Sequence, residues 1–265
     1  MERIFNQQNK NRLNVVLPKG SLQLDTLKLF QMAGYEITGY NMTDRNYMPE
    51  VRNDERLTVK VSRPQEIPIH VEEGDYDIGI TGLDWVKETE VKVEQVIDLK
   101  YGWIEIVIAV PNGGGNSIWN EINSFEALMN LPKEEIRIST EYLNISNNYI
   151  LEKVGVEPTI ITPWKFLKRE RRGISNVTLI LSFGATEGKP PDEADAIIDN
   201  ATSSRRTLKA NNLKVIESLG ESTAILIANT KALKDPWKKE KIEEVKQALE
   251  KGLSRNKREY LPAHL

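Results

Sequence analysis

Short apolar runs alternate along this chain with longer segments whose apolar residues recur at helical spacing. The runs are rich in Val, Ile and Leu and end at Gly, Pro, Asn or Asp, a pattern typical of buried strands. Strands that alternate with helices predict an α/β fold with parallel sheets. Strands are expected at 13–17, 57–61, 77–82, 93–99, 103–110, 136–140, 159–162, 177–181, 196–198, 213–217 and 223–228.

The segments between these runs carry local signals for the ends of helices. Ser21 predicts the start of a first helix and Gly34 its end, with an apolar face that includes Leu24, Leu27 and Phe30. The last helix is predicted to start at Asp235 and to present Ile242, Val245 and Leu249 on one face. Further helices are expected from Pro64 to Gly74, from Asp84, from Ser124 to Asn130, from Asn144 to Gly155 and from Leu208.

Two of the β runs, 103–110 and 220–228, are placed where the chain could pass from one lobe into another. They predict two α/β lobes with a central cleft, lobe I formed by 1–105 and 220–265 and lobe II by 106–219. Ligands of such sheets bind at the carboxyl ends of strands, and clefts between lobes are frequent binding sites.

Composition narrows the range of functions. The 265 residues hold 36 Lys and Arg against 39 Asp and Glu, and this net charge of −3 argues against a general nucleic-acid binder. There is no Cys, which excludes disulfides and thiolate nucleophiles, and the two histidines, His70 and His264, leave few candidates for a histidine base. Residues 1–12 lack the apolar core of a secretory signal, and no apolar run reaches the length of a membrane span. A soluble cytoplasmic protein is therefore expected.

Residues 195–213 carry the clearest candidate chemistry. The strand 196–198 is followed by a loop of hydroxyls and guanidiniums at 202–207, named here the phosphate loop, and then by a helical turn. Such a loop can bind an anion through backbone N–H groups, hydroxyls and arginines. Asp195 and Asp199 share a strand face, and their carboxylates suit ribose hydroxyls or Mg²⁺. The stretch predicts a site for a ribose 5-phosphate, with a charged surface turn as the alternative; its candidate residues are Asp195, Asp199, Thr202, Ser203, Ser204, Arg205, Arg206 and Thr207.

Weaker signals lie at two other strand ends. Lys19 and Gly20 occupy a predicted strand-to-helix turn, where a lysine can meet a phosphate; the alternative is a tight turn with a solvated lysine. Gly79 and Gly82 indicate close approach by a ligand or by another part of the chain, and packing alone explains them equally well. Residues 163–176 mix basic side chains with Trp and Phe, as RNA-binding segments do, but a solvated helix or loop is the preferred interpretation.

Several blocks together resemble the catalytic core of ATP phosphoribosyltransferase. Leu17-Pro18-Lys19-Gly20 is similar to the first motif of that family. The resemblance continues, in order and spacing, through Arg63-Pro64-Gln65-Glu66-Ile67-Pro68, Val71, Gly74, Asp77-Ile78-Gly79-Ile80 and Gly82, then Arg137 to Tyr142, Ala194 to Asp199, and Thr207-Leu208. It covers about residues 13 to 230, and the run 184–191 looks like the version found in archaeal members.

The resemblance implies a fold similar to type II periplasmic binding proteins and a Mg²⁺-dependent reaction. In that reaction ring nitrogen 1 of ATP attacks C1 of phosphoribosyl diphosphate and pyrophosphate leaves, the first step of histidine biosynthesis. Asp199 would be the metal ligand, and the phosphate loop would hold phosphoribosyl diphosphate. The implied catalytic residues are Lys19, Arg63, Glu141 and Tyr142, and the implied ATP-binding residues are Lys19, Gly20, Ser21, Gly79, Thr81, Gly82 and Glu187.

The chain departs from the family pattern where anion contacts are expected. Ser21 stands where Arg is common, and Asn147-Asn148 stands where Arg-Arg is usual. The phosphate loop lacks the glycine of the usual Thr-Gly-x-Thr and looks one residue longer, although a backbone that wraps a phosphate often needs φ > 0. Two alternatives therefore stay open: a non-catalytic or regulatory nucleotide-binding paralogue, and a phosphoribosyltransferase with another acceptor.

The resemblance also implies partners. The substrates would be ATP and phosphoribosyl diphosphate, and a homo-oligomer and a separate regulatory subunit are expected. Long members of the family carry an additional C-terminal domain that binds histidine, whereas only about 36 residues follow Asn229 here. Histidine is therefore expected to leave the rate of this chain unchanged unless a second protein is added. Neither a nucleic acid nor a membrane is expected as a partner.

Overall fold

A computed structural model describes residues 11–43, 45–115, 117–162 and 175–255. The chain divides into two compact units, one formed by Met1–Trp103 and Ser222–Leu265 and the other by Ile104–Glu221. The basic segment at 163–176 lies almost entirely outside the described residues, so the interpretation given to it stays a prediction.

Strands and helices alternate through most of the described chain. In chain order the strands are β1 (Leu13–Pro18), β2 (Ile37–Thr38), β3 (Glu50–Val51), β4 (Leu57–Ser62), β5 (Ile78–Gly82), β6 (Glu94–Asp98), β7 (Ile104–Pro111), β8 (Ile136–Thr140), β9 (Thr159–Ile161), β10 (Val177–Leu181), β11 (Ala196–Ala201), β12 (Leu213–Ser222) and β13 (Ala224–Ala228). The helices are α1 (Gln23–Met32), α2 (Ile67–Glu73), α3 (Leu83–Thr89), α4 (Phe125–Met129), α5 (Leu143–Val154), α6 (Arg206–Ala210) and α7 (Pro236–Arg255).

The first unit is built on a mixed five-stranded sheet in the order β4-β1-β5-β13-β6. β1 is parallel to β4 and β5, whereas β13 is antiparallel to β5 and β6. The prediction of purely parallel sheets is therefore wrong. β13 follows directly on β12 of the other unit rather than on a crossover helix, and a strand that enters in this way can pair antiparallel.

The second unit has a mixed sheet in the order β12-β7-β11-β8-β10-β9. β8 is parallel to β10 and β11, while β7 is antiparallel to β11. β4 and β10 thus belong to different sheets, as two α/β lobes require. The parallel pairing of β8 and β11 brings their carboxyl ends together, which places Glu141 and Asp199 at the same edge of this sheet.

The long helix α7 packs on the first unit as its apolar pattern predicts. Ile242, Val245 and Leu249 are buried in a core shared with α1 and β1. Asp235 caps the helix, because its Oδ1 accepts a hydrogen bond of 3.0 Å from the backbone N–H of Lys238. Within the described residues no helix is both long and apolar enough to cross a membrane.

The helix ends predicted from glycines agree with the structure more closely than the helix starts predicted from polar capping residues. Gly74 and Gly155 end α2 and α5 with φ of +83° and +78°. The predicted caps Ser21, Asp84 and Asn144 are wrong by one or two residues, since Leu22, Gly82 and Tyr142 occupy those positions. In α1 the predicted apolar face is also partly wrong: Leu24 is exposed, and Leu29 and Phe30 face the core with Gln23 and Thr26.

Candidate functional site

Asp199 is the buried centre of the candidate site in the second unit. It lies near the carboxyl end of β11 and is 6% exposed. One carboxylate oxygen accepts hydrogen bonds from the backbone N–H of Asn200 at 2.7 Å and from its side-chain amide at 3.1 Å. The group is therefore held in one orientation before any ligand arrives.

Two further carboxylates lie within electrostatic range of Asp199. The pKa of Asp199 is raised to about 7, chiefly by burial and also by the charges of Glu141 and Glu187, while the hydrogen bonds from Asn200 and Thr186 act in the opposite direction. We call Asp199, Glu141 and Glu187 the acidic cluster. Their mutual repulsion is relieved by any bound cation, so the cluster favours a positively charged ligand.

Tyr142 is buried rather than directed at a ligand. Its side chain is 1% exposed, and its hydroxyl accepts a hydrogen bond of 3.2 Å from the Asn200 amide, which also donates to Asp199. The contact of Tyr142 with substrate stays a prediction. In the described structure Tyr142 supports Asn200, and through Asn200 the carboxylate of Asp199.

Asp195 is separated from Asp199 despite their common strand face. Asp195 precedes β11, is fully buried and accepts a hydrogen bond of 2.8 Å from the backbone N–H of Arg137. Its other oxygen pairs with Lys133. Four residues of strand span about 13 Å, so the two carboxylates lie toward opposite ends of β11. The structure thus shows Asp195 in a buried ion pair, and its expected role in phosphoribosyl diphosphate binding stays a prediction.

The phosphate loop follows β11 directly and is exposed at Thr202, Ser203 and Ser204. A turn closes it, with the backbone N–H of Arg205 donating to the carbonyl of Thr202 at 2.9 Å. Arg205 then adopts the left-handed conformation, with φ of +46°, and α6 starts at the exposed Arg206. A glycine would adopt this positive φ at lower cost, but here an arginine adopts it.

Arg205 does not present a free charge to the loop. Its guanidinium donates a hydrogen bond of 2.7 Å to Glu105 in β7. Of the expected phosphate ligands, Thr202, Ser203, Ser204, Arg206 and Thr207 are exposed, with the hydroxyls of Thr202 and Ser204 hydrogen-bonded to each other at 3.1 Å, whereas Arg205 is engaged by a carboxylate.

In the first unit, Lys19, Gly20 and Arg63 lie together at the carboxyl ends of β1 and β4. The backbone N–H of Lys19 donates to the carbonyl of Ser62, and Lys19 Nζ lies 4.4 Å from the centre of the Tyr47 ring. Gly20 has φ of +89°, and a Cβ there would come within 3.7 Å of the Arg63 guanidinium. The structure therefore brings Lys19 and Arg63 together, and the exposed Ser21 follows Gly20 in the chain.

The other expected ATP-binding residues of this unit are buried in packing contacts. A Cβ on Gly79 would lie 2.7 Å from Ile67 and 2.8 Å from Val16, so this glycine lets α2 approach the sheet. Thr81 is fully buried and donates to the carbonyl of Pro64 at 2.7 Å. The space beside Gly82 is filled by the Asp84 carboxylate, to which the Ser222 hydroxyl donates at 2.6 Å. These contacts support the packing interpretation of Gly79 and Gly82, and the expected ATP contacts of Gly79, Thr81 and Gly82 stay predictions.

Gly79→Ala is expected to lower the free energy of unfolding by about 1–3 kcal/mol, because the added methyl group overpacks the contact between α2 and β1. ATP binding by the folded variant should stay unchanged, which calorimetry can measure beside a urea melt. Gly114→Ala is the matched control, since a Cβ there meets nothing within 4 Å. A stable Gly79 variant that no longer binds ATP would restore the ligand interpretation.

Four residues of these sites were not singled out from sequence. Thr186 and Asn200 adjoin predicted site residues, so adjacency was a usable signal. Glu105 is the one acidic residue in the apolar run 103–110, which could have marked it as a partner for a cation. Tyr47 lies in a weakly patterned stretch that carried no signal.

The acidic cluster does not form a complete metal cage. Among the described residues no three His, Asp or Glu side chains converge to hold a metal ion. Mg²⁺ commonly uses one or two carboxylates together with substrate phosphates and water. A single anchored Asp199 with acidic neighbours fits such an ion, provided that a substrate supplies the remaining ligands.

Comparison with known proteins supports the family resemblance. The family model described as HisG: ATP phosphoribosyltransferase matches residues 63–251. The ATP phosphoribosyltransferase of Thermodesulfovibrio yellowstonii is 37% identical over 246 residues, which cover 91% of this chain and 72% of that protein. The enzyme of Pelotomaculum thermopropionicum is 38% identical over 247 residues, with coverage of 91% and 73%.

Solved structures agree on the fold. The ATP phosphoribosyl transferase (HisG:HisZ) complex from Thermotoga maritima aligns with a TM-score of 0.68 at 21% identity, covering 92% of this chain and all of that one. A Candida albicans protein with the generic periplasmic binding protein fold aligns at 0.53 and 10% identity, covering 92% and 71%. The expected two-lobed fold of the type II periplasmic-binding-protein class is thereby confirmed. On the family model and these close relatives, the chain belongs to the ATP phosphoribosyltransferase family.

Proposed function

We propose that this protein transfers the phosphoribosyl group of phosphoribosyl diphosphate to ring nitrogen 1 of ATP, the first step of histidine biosynthesis. The observation that carries the proposal is the anchored Asp199 followed by the exposed phosphate loop, in a chain whose relatives bear the name of that enzyme. Among its own residues the chain offers a carboxylate for ribose hydroxyls and hydroxyl groups for a 5-phosphate.

The second unit would bind phosphoribosyl diphosphate. Asp199 would accept hydrogen bonds from the ribose hydroxyls, and Ser203, Ser204 and Thr207 would donate to the 5-phosphate, with Arg206 adding charge. Mg²⁺, when bound at Asp199, would neutralise charge on the diphosphate. The acidic cluster favours a cation at this position, since a positive charge offsets the repulsion that raises the pKa of Asp199.

The first unit would bind phosphate groups through Lys19 and Arg63. Gly20 lies next to the Arg63 guanidinium and presents no side chain that could block it. Lysine and arginine are the usual partners of phosphate oxygens, and arginine can form two hydrogen bonds at once.

The reaction needs no strong base, which fits a chain with two histidines. The lone pair of ring nitrogen 1 forms a bond to C1 of the ribose. The bond between C1 and the diphosphate oxygen breaks, and pyrophosphate leaves with its electron pair. The protein's task is to align two polyanions and to stabilise the charge that develops on the leaving group.

A direct assay tests the proposal. Purified protein with ATP, phosphoribosyl diphosphate and Mg²⁺ should show the ultraviolet change of adenine alkylation and release equimolar pyrophosphate. Asp199→Asn serves as the negative control. Binding of both substrates without turnover would instead support the non-catalytic paralogue, and turnover with a different base would support another acceptor.

Assembly is part of the proposal. The Thermotoga maritima relative in the comparison is a HisG:HisZ complex. By analogy this chain would associate with copies of itself and with a separate regulatory subunit. Light scattering of the purified chain tests the first statement, and co-purification with such a subunit tests the second.

A further inference from the structure

We propose that Glu105 is a positioning residue for the phosphate loop: it holds the guanidinium of Arg205 and thereby keeps the backbone of Arg205 in the left-handed conformation from which α6 starts. The inference rests on the proposed function in one respect, the identity of the ligand. Arg205 is then a tether of the loop rather than a ligand of the phosphate.

The backbone of Arg205 is in a conformation that its side chain disfavours. With φ of +46° and ψ of +34°, it occupies the left-handed region, where a Cβ approaches the neighbouring carbonyl. Such a residue persists when surrounding contacts determine its conformation. Besides the backbone hydrogen bond from Arg205 to Thr202, the side chain of Arg205 donates a hydrogen bond of 2.7 Å to Glu105 Oε2.

Glu105 is fixed well enough to serve as an anchor. It lies in β7 directly opposite Ala201 of β11, the last strand residue before the phosphate loop. Its side chain is 17% exposed, whereas that of Arg205 is 41% exposed. Burial alone would raise the pKa of Glu105, but the hydrogen bonds from Ser218 and Arg205 lower it below its usual value, so the carboxyl group stays ionised.

The adjacent residues Arg205 and Arg206 therefore have different roles. Arg205 is engaged by Glu105 on the strand side, while Arg206 begins α6 and is exposed. Arg206 can therefore offer its charge to a phosphate, and Arg205 sets the path of the backbone that carries Ser203, Ser204 and Thr207.

The test compares five variants by calorimetric binding of phosphoribosyl diphosphate with Mg²⁺ and without ATP. Glu105→Ala and Arg205→Ala should each raise the dissociation constant roughly tenfold, and the double variant should be no worse than either single one. Arg205→Gly should stay within about threefold of the parent, because glycine adopts a positive φ without a tether. Glu105→Gln keeps the shape of the side chain and should lie between the parent and Glu105→Ala.

The opposite pattern would overturn the proposal. If Arg205 binds phosphate directly, Glu105→Ala should leave binding unchanged or tighten it, because it frees the guanidinium. Arg205→Gly would then be as damaging as Arg205→Ala.

A second readout does not depend on the ligand. Amide hydrogen exchange of residues 202–208 in the ligand-free protein should become faster in Glu105→Ala and in Arg205→Ala, and should not change in Arg206→Ala. If the parent binds no phosphoribosyl diphosphate, the proposed function fails. The exchange experiment still tests whether Glu105 and Arg205 hold the loop. Unchanged exchange in both tether variants would reject it.

Discussion

Asp199→Asn is expected to bind phosphoribosyl diphosphate roughly ten- to a hundredfold more weakly than the parent, because it removes a charged hydrogen-bond acceptor from the ligand. The same variant should be more stable than the parent when no ligand or Mg²⁺ is present. A buried carboxylate beside Glu141 and Glu187 is costly to ionise, and asparagine removes that cost while keeping an oxygen for the Asn200 N–H.

The gain in stability should depend on pH in a defined direction. Folding raises the pKa of Asp199 from its ordinary value of 3.8 to about 7. Between these values the folded protein holds a proton that the unfolded chain has lost, so this group makes the parent less stable as pH increases. The variant lacks this dependence. Its advantage in free energy of unfolding should be small at pH 4 and reach about 2–4 kcal/mol at pH 8.

Urea melts of the two proteins at pH 4 and pH 8, with a chelator present, measure this difference while the other titrating groups cancel. Addition of phosphoribosyl diphosphate and Mg²⁺ at pH 8 should reverse the order, because ligand stabilises the parent by mass action. If the parent and the variant are equally stable at both pH values, the surroundings of Asp199 do not make its ionisation costly. Unchanged binding would remove it from the site.

Asp195→Ala is expected to have the opposite effect, lowering the free energy of unfolding by about 2–4 kcal/mol and leaving ligand affinity nearly unchanged. The substitution leaves the partly buried N–H of Arg137 without its acceptor and removes the partner of Lys133. Both losses fall on protein groups rather than on a ligand. Denaturant melts and calorimetry of the folded variant measure the two effects separately.

Asp195→Asn is the matched control, because its amide oxygen can still accept from Arg137 N–H while the charge is lost. Its destabilisation should be smaller than that of the alanine variant. A stable Asp195→Ala protein with greatly weakened phosphoribosyl diphosphate binding would mean that the carboxylate reaches the ligand after all.

Sequence patterns predicted the parts of this protein that depend on neighbours along the chain. The strands at 57–61, 136–140 and 177–181 were found because a buried strand needs a local run of β-branched residues. The ends of α2 and α5 were found because Gly74 and Gly155 adopt the left-handed conformation at low cost.

The phosphate loop was located from sequence for the same reason, since its hydroxyls and arginines are consecutive. The roles of residues inside the site were predicted less well. Period-2 alternation predicted that Asp195 and Asp199 share a face, but it does not say what lies opposite each carboxylate. It could not separate a structural ion pair from a ligand site.

The tertiary structure decided those roles, because the deciding partners are distant in sequence. Asp195 is held by Arg137, 58 residues away, and Arg205 by Glu105, 100 residues away. Gly79 proved to be a packing glycine only once α2 lay against the sheet. Sequence alone determined the α/β class, the family and the position of the phosphate loop. How fully each charged side chain is exposed to a ligand depended on the pairing of strands, since a side chain that is paired with a distant residue has fewer donors or acceptors left for a substrate.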